Sequence, residues 1–345
     1  METMTTIERH WRVEASEFPH RGSIEEQLRF LVGYAVLAPS VHNTQPWAFA
    51  IEENQVRLFA DQSRCLTAAD RDMRDLYVSL GCALENLAIA AEHFGFRTNI
   101  QYFPSLESPT LVATITLVPN RGDSQSETFG LCRAITMRRT NHNRFDEERV
   151  NEHDLAHLRA CCVEEDVTVH FTADERSMGL FSKLLIEADI LRFSDRDYVK
   201  ELEYWVRQGA YDTTWMVKKL YELACACRTG ARRTDANIFK GAPMLGVVST
   251  AGNDRASQVR SGRVFERMFL RATTLGLSIE PITYVLQVPE TRVGVRKVFA
   301  EDVGYPQVSF RLGYSANEPP PTPRRPFEEV IVEPVQSTAV VTAIA

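Results

Sequence analysis

The spacing of apolar residues along the chain predicts where its helices lie. Leucines and alanines between positions 76 and 91 recur every three or four residues, which predicts one long helix with a face in the core. The same spacing predicts helices over residues 28–37 and 129–137, and mostly helical structure over residues 178–226. The predicted helix over residues 28–37 ends at Ala38, because Pro39 disfavours helix in the residue before it.

Other stretches have patterns that are typical of strands. Residues 47–51 and 56–60 predict a short hairpin, and residues 110–118 alternate apolar and polar side chains. A helix followed by a strand is predicted over residues 152–169, and a further strand over residues 308–312. Helices and strands are therefore mixed along the whole chain.

One segment of the chain recurs 181 residues later (262 minus 81). The matching pairs are Gly81 and Gly262, Glu85 and Glu266, Ala91 and Ala272, and Gly95 and Gly276. Each copy is a glycine, a core helix, and a second glycine that leads into a strand. Because the offset is close to half the chain, we expect duplication and fusion of a dimer-like pair. Chance similarity between two amphipathic helices is the alternative.

Composition and charge narrow the class of protein. The chain has 345 residues, of which 44% are hydrophobic and 25% charged, as in ordinary globular proteins. A net charge of -7 argues against binding to a phosphate backbone, so no nucleic acid partner is expected. The first residues lack the apolar core of a signal peptide, and no apolar run approaches the roughly 20 residues that span a bilayer. We expect a cytoplasmic protein without a membrane partner.

Neither the cysteines nor the histidines predict a metal site. Seven cysteines without a CxxC pair indicate neither a disulfide framework nor a zinc ribbon. Cys225 and Cys227 are two apart on a predicted helix and therefore point in different directions. His153 and His157 have a helical metal spacing but lack the glutamate of an HExxH motif. The motifs GxGxxG, GxxxxGK[ST] and GxSxG are absent as well, which argues against dinucleotide, P-loop and hydrolase folds.

Three segments carry candidate chemistry, and the first is the loop over residues 38–47, Ala-Pro-Ser-Val-His-Asn-Thr-Gln-Pro-Trp. Pro39 stiffens it, and Ser40, Asn43 and Gln45 offer short polar side chains. Amides both donate and accept hydrogen bonds, which suits the alternating C=O and N–H groups of a flavin edge. The histidine of this loop, His42, could instead be merely exposed.

The second and third segments are basic. Residues 138–144, Arg-Arg-Thr-Asn-His-Asn-Arg, follow a predicted helix, where guanidinium and hydroxyl groups can bind a phosphate dianion. Residues 322–326, Thr-Pro-Arg-Arg-Pro, hold two arginines close together between prolines. Taken singly, the first is better explained by a solvated surface and the second by a surface linker.

Together the three segments resemble the flavin-dependent nitroreductases, and over residues 25–330 the chain is similar to the fused, Acg-like branch of that superfamily. The resemblance implies an α+β fold in which two tandem nitroreductase-like repeats form a pseudo-dimer, with central antiparallel sheets flanked by helices. It implies a first half over residues 1–125 and a second over residues 126–335, which carries a helical lid insert at about 190–240. The tail after Glu333 has no interpretation.

The same resemblance implies one FMN per chain, because the loop occurs only in the first half and the basic motif only before the second. No catalytic side chain is required, since backbone N–H groups near Pro281, Ile282 and Thr283 would face flavin N5. His142 replaces the last arginine of the family's phosphate motif, so Arg144 would reach back or that contact would be weaker. The cofactor-binding residues implied are Pro39, Ser40, Asn43, Gln45, Arg138, Arg139, Thr140, His142, Arg144, Arg324 and Arg325.

The function implied is ping-pong hydride transfer from NAD(P)H through FMN to a small acceptor such as a nitro compound or quinone. The chain would act as a monomeric pseudo-dimer or as a homodimer. An FMN-sequestering protein with a lidded flavin is the first alternative, and a binding module without flavin is the second.

Overall fold

The eight strands of the described residues form two four-stranded sheets. The first has the order β1-β2-β4-β3 and the second the order β5-β6-β8-β7, and all neighbouring strands are antiparallel. The pairing of β2 with β4 contains one register shift, at Leu58/Phe59, and the pairing of β6 with β8 contains one at Val248/Ser249. The two halves therefore share one topology, and the predicted α+β fold of two fused repeats is confirmed.

These elements come from a computed structural model that describes residues 11, 13–120, 126–208, 243–299 and 303–333. The strands are β1 (Trp47–Glu52), β2 (Gln55–Ala60), β3 (Phe96–Tyr102), β4 (Leu111–Pro119), β5 (Val167–Thr172), β6 (Met244–Thr250), β7 (Ser278–Pro281) and β8 (Tyr305–Gly313). The helices, numbered along the described residues, are α1 (Ile24–Ala35), α2 (Arg74–His93), α3 (Ser126–Met137), α4 (Glu152–Arg159), α5 (Glu175–Ser194), α6 (Arg196–Arg207), α7 (Arg255–Thr274), α8 (Tyr284–Gln287), α9 (Pro289–Val295) and α10 (Phe327–Val330).

Helices α2 and α7 pack against each other between the two sheets, and the repeat glycines lie at their closest approach. A Cβ atom on Gly81 would lie 2.0 Å from the carbonyl oxygen of Val259, and one on Gly262 would lie 2.0 Å from that of Val78. Because no side chain fits there, glycine is required on both helices. The internal repeat detected in the sequence is thus the crossing of the two central helices.

The second pair of repeat glycines ends these helices. Gly95 and Gly276 have φ values of +85° and +73°, a left-handed conformation that favours glycine. An edge strand follows each glycine: β3 begins directly after Gly95, and β7 begins two residues after Gly276. The same local chemistry therefore turns the chain from the central helix to the sheet in both halves.

One hydrophobic core extends across both halves, and two smaller clusters attach helices α5 and α6 to it. Helix α5 packs on α8 and α9 of the second half through Phe181 and Leu185. Helix α6 packs on the first half through a cluster of Leu66, Ala69, Tyr198, Leu202 and Trp205. The two helices therefore bridge the halves on one side of the molecule.

Several predictions on organisation fall outside the described residues. Residues 121–125 next to the predicted boundary, residues 209–240 of the predicted insert, and Cys225 and Cys227 are among them. The division into two domains at this boundary stays a prediction. Within the described ranges, no helix combines the length and the apolar character needed to cross a membrane.

We expect Gly81→Ala to lower the free energy of unfolding by at least about 2 kcal/mol, because the new methyl group overlaps a backbone carbonyl that cannot move away alone. Gly179→Ala in α5 is the matched control, since a Cβ there meets nothing within 4 Å. Alanine should stabilise that helix by roughly 0.5–1 kcal/mol. Chemical denaturation of both variants measures their free energies of unfolding. Equal changes in the two variants would contradict the close approach of α2 and α7 at Gly81.

Candidate functional site

A cavity of about 1290 Å³, measured out to its open mouth, lies where the two halves meet. The first half contributes residues 39–43 and one face of α2, and the second contributes residues from two segments, 138–140 with 142 and 280–281 with 283–284. Helices α5 and α6 and the segment before α10 complete the wall. The cavity is therefore composite, and neither half could form it alone.

Most of the residues predicted for the site line this cavity. Those that line it are Pro39, Ser40, Asn43, Arg138, Arg139, Thr140, His142, Pro281, Thr283 and Arg324. Four do not, and they are Gln45, Arg144, Ile282 and Arg325.

The loop over residues 40–45 has an unusual backbone. His42, Asn43 and Gln45 have φ values of 49°, 51° and 50°, in the left-handed region that non-glycine residues seldom occupy. The backbone N–H of Gln45 donates to the Ser40 hydroxyl oxygen at 2.9 Å, which closes the loop on itself. Strain of this kind persists only where surrounding contacts fix the conformation.

Those contacts come from residues 322–326, which we call the C-terminal strap. The Asn43 side chain donates to the carbonyl oxygen of Pro323 at 2.9 Å. The Gln45 side chain accepts from the backbone N–H of Arg325 at 2.8 Å and donates to the carbonyl oxygen of Asn43 at 3.3 Å. Both amides thus hold the strap against the loop, although only Asn43 also lines the cavity.

Arg138 and Arg324 lie buried at the carboxyl end of α1. Each donates an Nη2–H to the carbonyl oxygen of Leu37, at 3.0 and 3.1 Å. Positive charge is favourable at this end of a helix. The Nε atom of each guanidinium is buried and has no hydrogen-bond partner among the described residues. These arginines join the two halves. The Nε of Arg138 faces Oε1 of Glu266 at 3.5 Å in an ion pair, and that of Arg324 has no such partner among the described residues.

The indole of Trp11 lies among three guanidinium groups. Its ring centre is 4.0 Å from Cζ of Arg139, 4.3 Å from that of Arg324 and 5.8 Å from that of Arg138. Its Nε1 donates to the carbonyl oxygen of Thr322 at 2.7 Å. Burial, and then repulsion from Arg138, lowers the pKa of Arg139 to about 10. This end of the cavity has excess positive charge and favours an anion. No sequence motif indicated Trp11.

Two of the predicted phosphate ligands point elsewhere. Arg144 is exposed and forms an ion pair with Glu147 at 3.1 Å. Arg325 donates to Asp61 at 3.3 Å and to the carbonyl oxygen of Glu329 at 2.9 Å. Neither is brought to the cavity in this structure.

The chain after α3 runs beside the edge strand β7. Thr140 forms a parallel bridge with Ile279, and the backbone N–H of Asn141 donates to the carbonyl oxygen of Ile279 at 3.1 Å. His142, which stands where the family motif has arginine, has its Nδ1 2.7 Å from Oε1 of Glu280. Its contact is therefore with a carboxylate at the rim of the cavity.

Only one backbone donor remains in the turn over residues 281–283. Pro281 has no N–H, and the N–H of Ile282 donates to the carbonyl oxygen of Ser309 at 2.7 Å. The Ser309 hydroxyl donates back to the carbonyl oxygen of Ile282 at 2.6 Å. Thr283 lines the cavity at the start of α8, where helix N–H groups lack helical partners. Its N–H is the candidate donor to a bound ligand.

Another part of the cavity wall is formed by His42 together with Asp189, Arg192 and Tyr198 of α5 and α6. The suggestion that His42 is exposed is wrong, since only 5% of it is accessible. Burial, and then the charge of Arg192, lowers the pKa of His42 to about 3, so the imidazole is neutral at physiological pH. The sequence around His42 gave no sign of this role.

The two glutamates of the repeat differ in their partners. Glu85 accepts from Nε of Arg263 at 2.8 Å and from Nε of Arg267, so its charge is doubly compensated. Glu266 has Arg138 at 3.5 Å. Burial raises the pKa of Glu266 to about 7, whereas the two arginines outweigh the effect of burial and lower the pKa of Glu85. The buried carboxyl next to the arginine cluster therefore titrates near neutrality.

The described side chains contain no cluster of three histidine, cysteine, aspartate or glutamate residues that could hold a metal ion. His153 and His157 have their Nε2 atoms 3.2 Å apart on the exposed face of α4. They form a pair, and a third ligand is not beside them among the described residues.

Sequence comparison finds relatives along almost the whole chain, although no protein-family model matches it. A Mycobacterium tuberculosis protein that bears the name NAD(P)H nitroreductase acg is 31% identical over 321 residues, or 88% of this chain and 94% of the relative. A second M. tuberculosis protein named as an NAD(P)H nitroreductase is 29% identical over 327 residues, covering 90% and 92%. PigM of a Serratia strain, named in the same way, is 22% identical over 341 residues, covering 90% and 94%.

Solved structures give weaker likenesses. A nitroreductase from Bacteroides fragilis with bound FMN is 17% identical, with a TM-score of 0.36 over 62% of this chain and 98% of that one. A nitroreductase from Desulfitobacterium hafniense with bound FMN is 16% identical, with a TM-score of 0.40 over 59% and 97%. Structural similarity at this level does not identify the family of this chain, which is assigned from the sequence relatives alone.

We expect the stability difference between Glu266→Gln and the unchanged protein to depend on pH. The pKa of Glu266 is raised from 4.5 to about 7 in the fold. As the pH rises, the carboxyl of the unfolded chain loses its proton first, so the free energy of unfolding falls. Glutamine should therefore gain roughly 1–3 kcal/mol relative to glutamate between pH 5 and pH 8. Urea denaturation across this range measures it.

Glu85→Gln is the matched control at the equivalent position of the other half. Because the pKa of Glu85 is lowered in the fold, its carboxyl is ionised in both folded and unfolded chains above pH 5. The stability difference for Glu85→Gln should stay constant from pH 5 to pH 8. Parallel curves for the two variants would refute the raised pKa of Glu266.

Proposed function

The chain belongs to the NAD(P)H nitroreductase family, and from that premise we propose that it binds one FMN in the cavity between its halves. Family membership makes it an oxidoreductase. We propose that a reduced nicotinamide donates a hydride and that a small electron-poor compound, such as a nitro compound or quinone, takes up the electrons in a second step. The proposal rests on the meeting of residues 39–43, 138–142 and 280–284 in one cavity.

The cavity suits FMN in charge. The buried Nε atom of Arg324 has no hydrogen-bond partner among the described residues, and a phosphate group would supply an acceptor there. The residues present therefore fit the group.

Each wall would have its own task in binding. Arg139 and Thr140 would hold the phosphate, with positive charge from the buried Arg138 and Arg324 behind them. Ser40 and Asn43 would meet the ring from the first half, with Pro39 stiffening the loop. Gln45 and Arg325, which do not line the cavity, would act by holding the strap in place.

When bound, a flavin supplies hydride acceptance at N5 and passes electrons onward. The chain's own residues would bind, orient and exclude water. The N–H of Thr283 is the donor available to hold the ring at the turn, since those of its neighbours are absent or used. Side chains of α5 and α6 would close the far side against solvent.

That same closure favours a second candidate function, FMN sequestration. Arg192 and Tyr198 are buried and lie in the wall of the cavity. A flavin held behind them would stay bound with little turnover. Persistent FMN without reduction by NAD(P)H would favour this function over catalysis.

The direct test is the visible spectrum of the purified protein after FMN has been added and the excess removed. We expect a flavin band at one FMN per chain that bleaches within seconds when NAD(P)H is added without oxygen. A band that does not bleach indicates sequestration, and two FMN per chain or none would contradict the single composite site.

Arginine variants make this test specific to the site. Arg139→Ala should weaken FMN binding by roughly 10- to 100-fold, as expected for loss of a charge-assisted phosphate contact. Arg144→Ala removes a neighbouring arginine whose partner is Glu147 at the surface, and it should leave the affinity unchanged. Equal losses in the two variants would place the phosphate elsewhere.

We expect Thr283→Pro to slow flavin reduction by NAD(P)H by at least about tenfold, because it deletes the one available donor of the turn. Thr283 has a φ of -79°, close to the value that proline requires, so the backbone can keep its shape. Thr283→Ala keeps the N–H and should react within about twofold of the unchanged protein. Anaerobic stopped-flow absorbance compares them, and similar rates would exclude a role for this N–H.

A further inference from the structure

We propose that His153 and His157, on the exposed face of α4, form a peripheral site for a divalent transition-metal cation such as Zn²⁺, Ni²⁺ or Cu²⁺. The two imidazoles supply two ligands. Water completes the coordination, because no third protein ligand stands beside them among the described residues. The site is separate from the proposed flavin function, since neither histidine lines the cavity between the halves.

Helix α4 places the two imidazoles on one face. The Asn151 side chain caps the start of the helix, and Leu155 and Leu158 bury its inner face in the main hydrophobic core. Residues four apart lie one above the other on a helix, so His153 and His157 share the outer face, and both are exposed. Both ligands therefore project from a helix that is held at its start and along its inner face.

The distance between the two rings matches that of two ligands of one metal ion. Their Nε2 atoms lie 3.2 Å apart, and the ring planes are inclined at 89°. An imidazole nitrogen binds Zn²⁺ at roughly 2.0–2.1 Å, so two nitrogens at this separation enclose an angle of about 100° at the metal. This angle lies between the octahedral and the tetrahedral values. A rotation of the exposed rings suffices to aim both nitrogen lone pairs at one ion.

The protonation that this contact requires also suits metal binding. Two imidazoles can approach Nε2 to Nε2 when one donates its N–H to the lone pair of the other, and the tautomer decides which of the two donates. Two protonated rings would both be donors and would repel each other. At least one ring of the pair is therefore neutral, and neutral imidazole is the form that binds a metal.

The charges of α4 do not oppose a cation. Glu152 and Asp154 flank His153 within one helical turn, and the single arginine of the helix is Arg159. Arg159 forms an ion pair with Glu152 at 3.6 Å, and its guanidinium carbon lies 5.4 Å from the ring centre of Phe171. Two carboxylates against one guanidinium leave the helix with an excess of negative charge, which favours a cation.

The chemistry of the ligands decides which cations bind and how tightly. Imidazole nitrogen suits Zn²⁺, Ni²⁺ and Cu²⁺, whereas Mg²⁺ prefers oxygen ligands. The glutamate of an HExxH motif acts as a general base and is not a ligand, so its absence does not weaken binding. Two protein ligands instead of four give a dissociation constant on the order of 1–100 µM. The metal is therefore exchangeable, and the fold does not depend on it.

Isothermal titration calorimetry of the full chain, freed of any purification tag, tests the site with ZnCl₂, NiCl₂ and MgCl₂. We expect Zn²⁺ and Ni²⁺ to bind in the micromolar range and Mg²⁺ not to bind at the same concentrations. His153→Ala and His157→Ala should each weaken Zn²⁺ binding by at least about tenfold, because each removes one of two ligands. His20→Ala is the control, since His20 is exposed as well and its ring contacts Phe18, and it should leave the affinity unchanged.

The double variant distinguishes one shared site from two separate histidines. In a shared site, either single substitution already removes the second ligand, so the double variant should bind Zn²⁺ within about threefold of the single ones. Losses that add up across the two substitutions would overturn the proposal, as would unchanged affinity in both single variants or Mg²⁺ binding as tight as that of Zn²⁺. Thermal unfolding without metal checks that each variant folds. Added Zn²⁺ should raise the midpoint of the unchanged protein more than that of the double variant.

Discussion

The close approach of α2 and α7 at Gly81 and Gly262 is the contact on which the rest of the structure depends. Because a Cβ at either position would lie 2.0 Å from a backbone carbonyl, the two helices reach this distance only with glycine on both. Their contact joins the two halves into one hydrophobic core. It also brings residues 39–43 of the first half against residues 138–142 and 280–284 of the second. The cavity exists because the two helices lie this close.

Duplication gave the two halves one topology, but their buried charges have diverged. At the equivalent positions, Glu85 forms ion pairs with Arg263 and Arg267, whereas Glu266 forms one with Arg138, which also lines the cavity. A closed ionic network leaves no charge to attract a ligand, while a cluster with excess positive charge does. The charges around Glu85 are therefore compensated, whereas positive charge remains in excess beside Glu266. This difference is a physical reason to expect the single FMN per chain that we propose.

The sequence was informative where structure is local and periodic. The central helices, the first hairpin and the repeat all followed from spacing, because burial on one face imposes that spacing. Strand β6 escaped notice because every residue in it is buried, so it has no alternation of apolar and polar positions. The sequence also did not show which residues these side chains contact. The amides of Asn43 and Gln45 form hydrogen bonds with the strap, about 280 residues further along the chain. Trp11 contacts the strap and the arginines, and no sequence motif predicts this contact. Contacts this distant are set by the tertiary fold.

The strained loop over residues 40–45 connects the two ends of the cavity. A left-handed conformation at a non-glycine residue costs on the order of 1–3 kcal/mol, and this loop has three such residues. On one side the strap offsets that cost through hydrogen bonds with Asn43 and Gln45, and the strap also carries Arg324 of the anion-binding end. On the other side the same loop carries His42 into the wall that contains Arg192. Because the strap fixes the loop through Asn43 and Gln45, the same contacts also position His42 in the cavity wall.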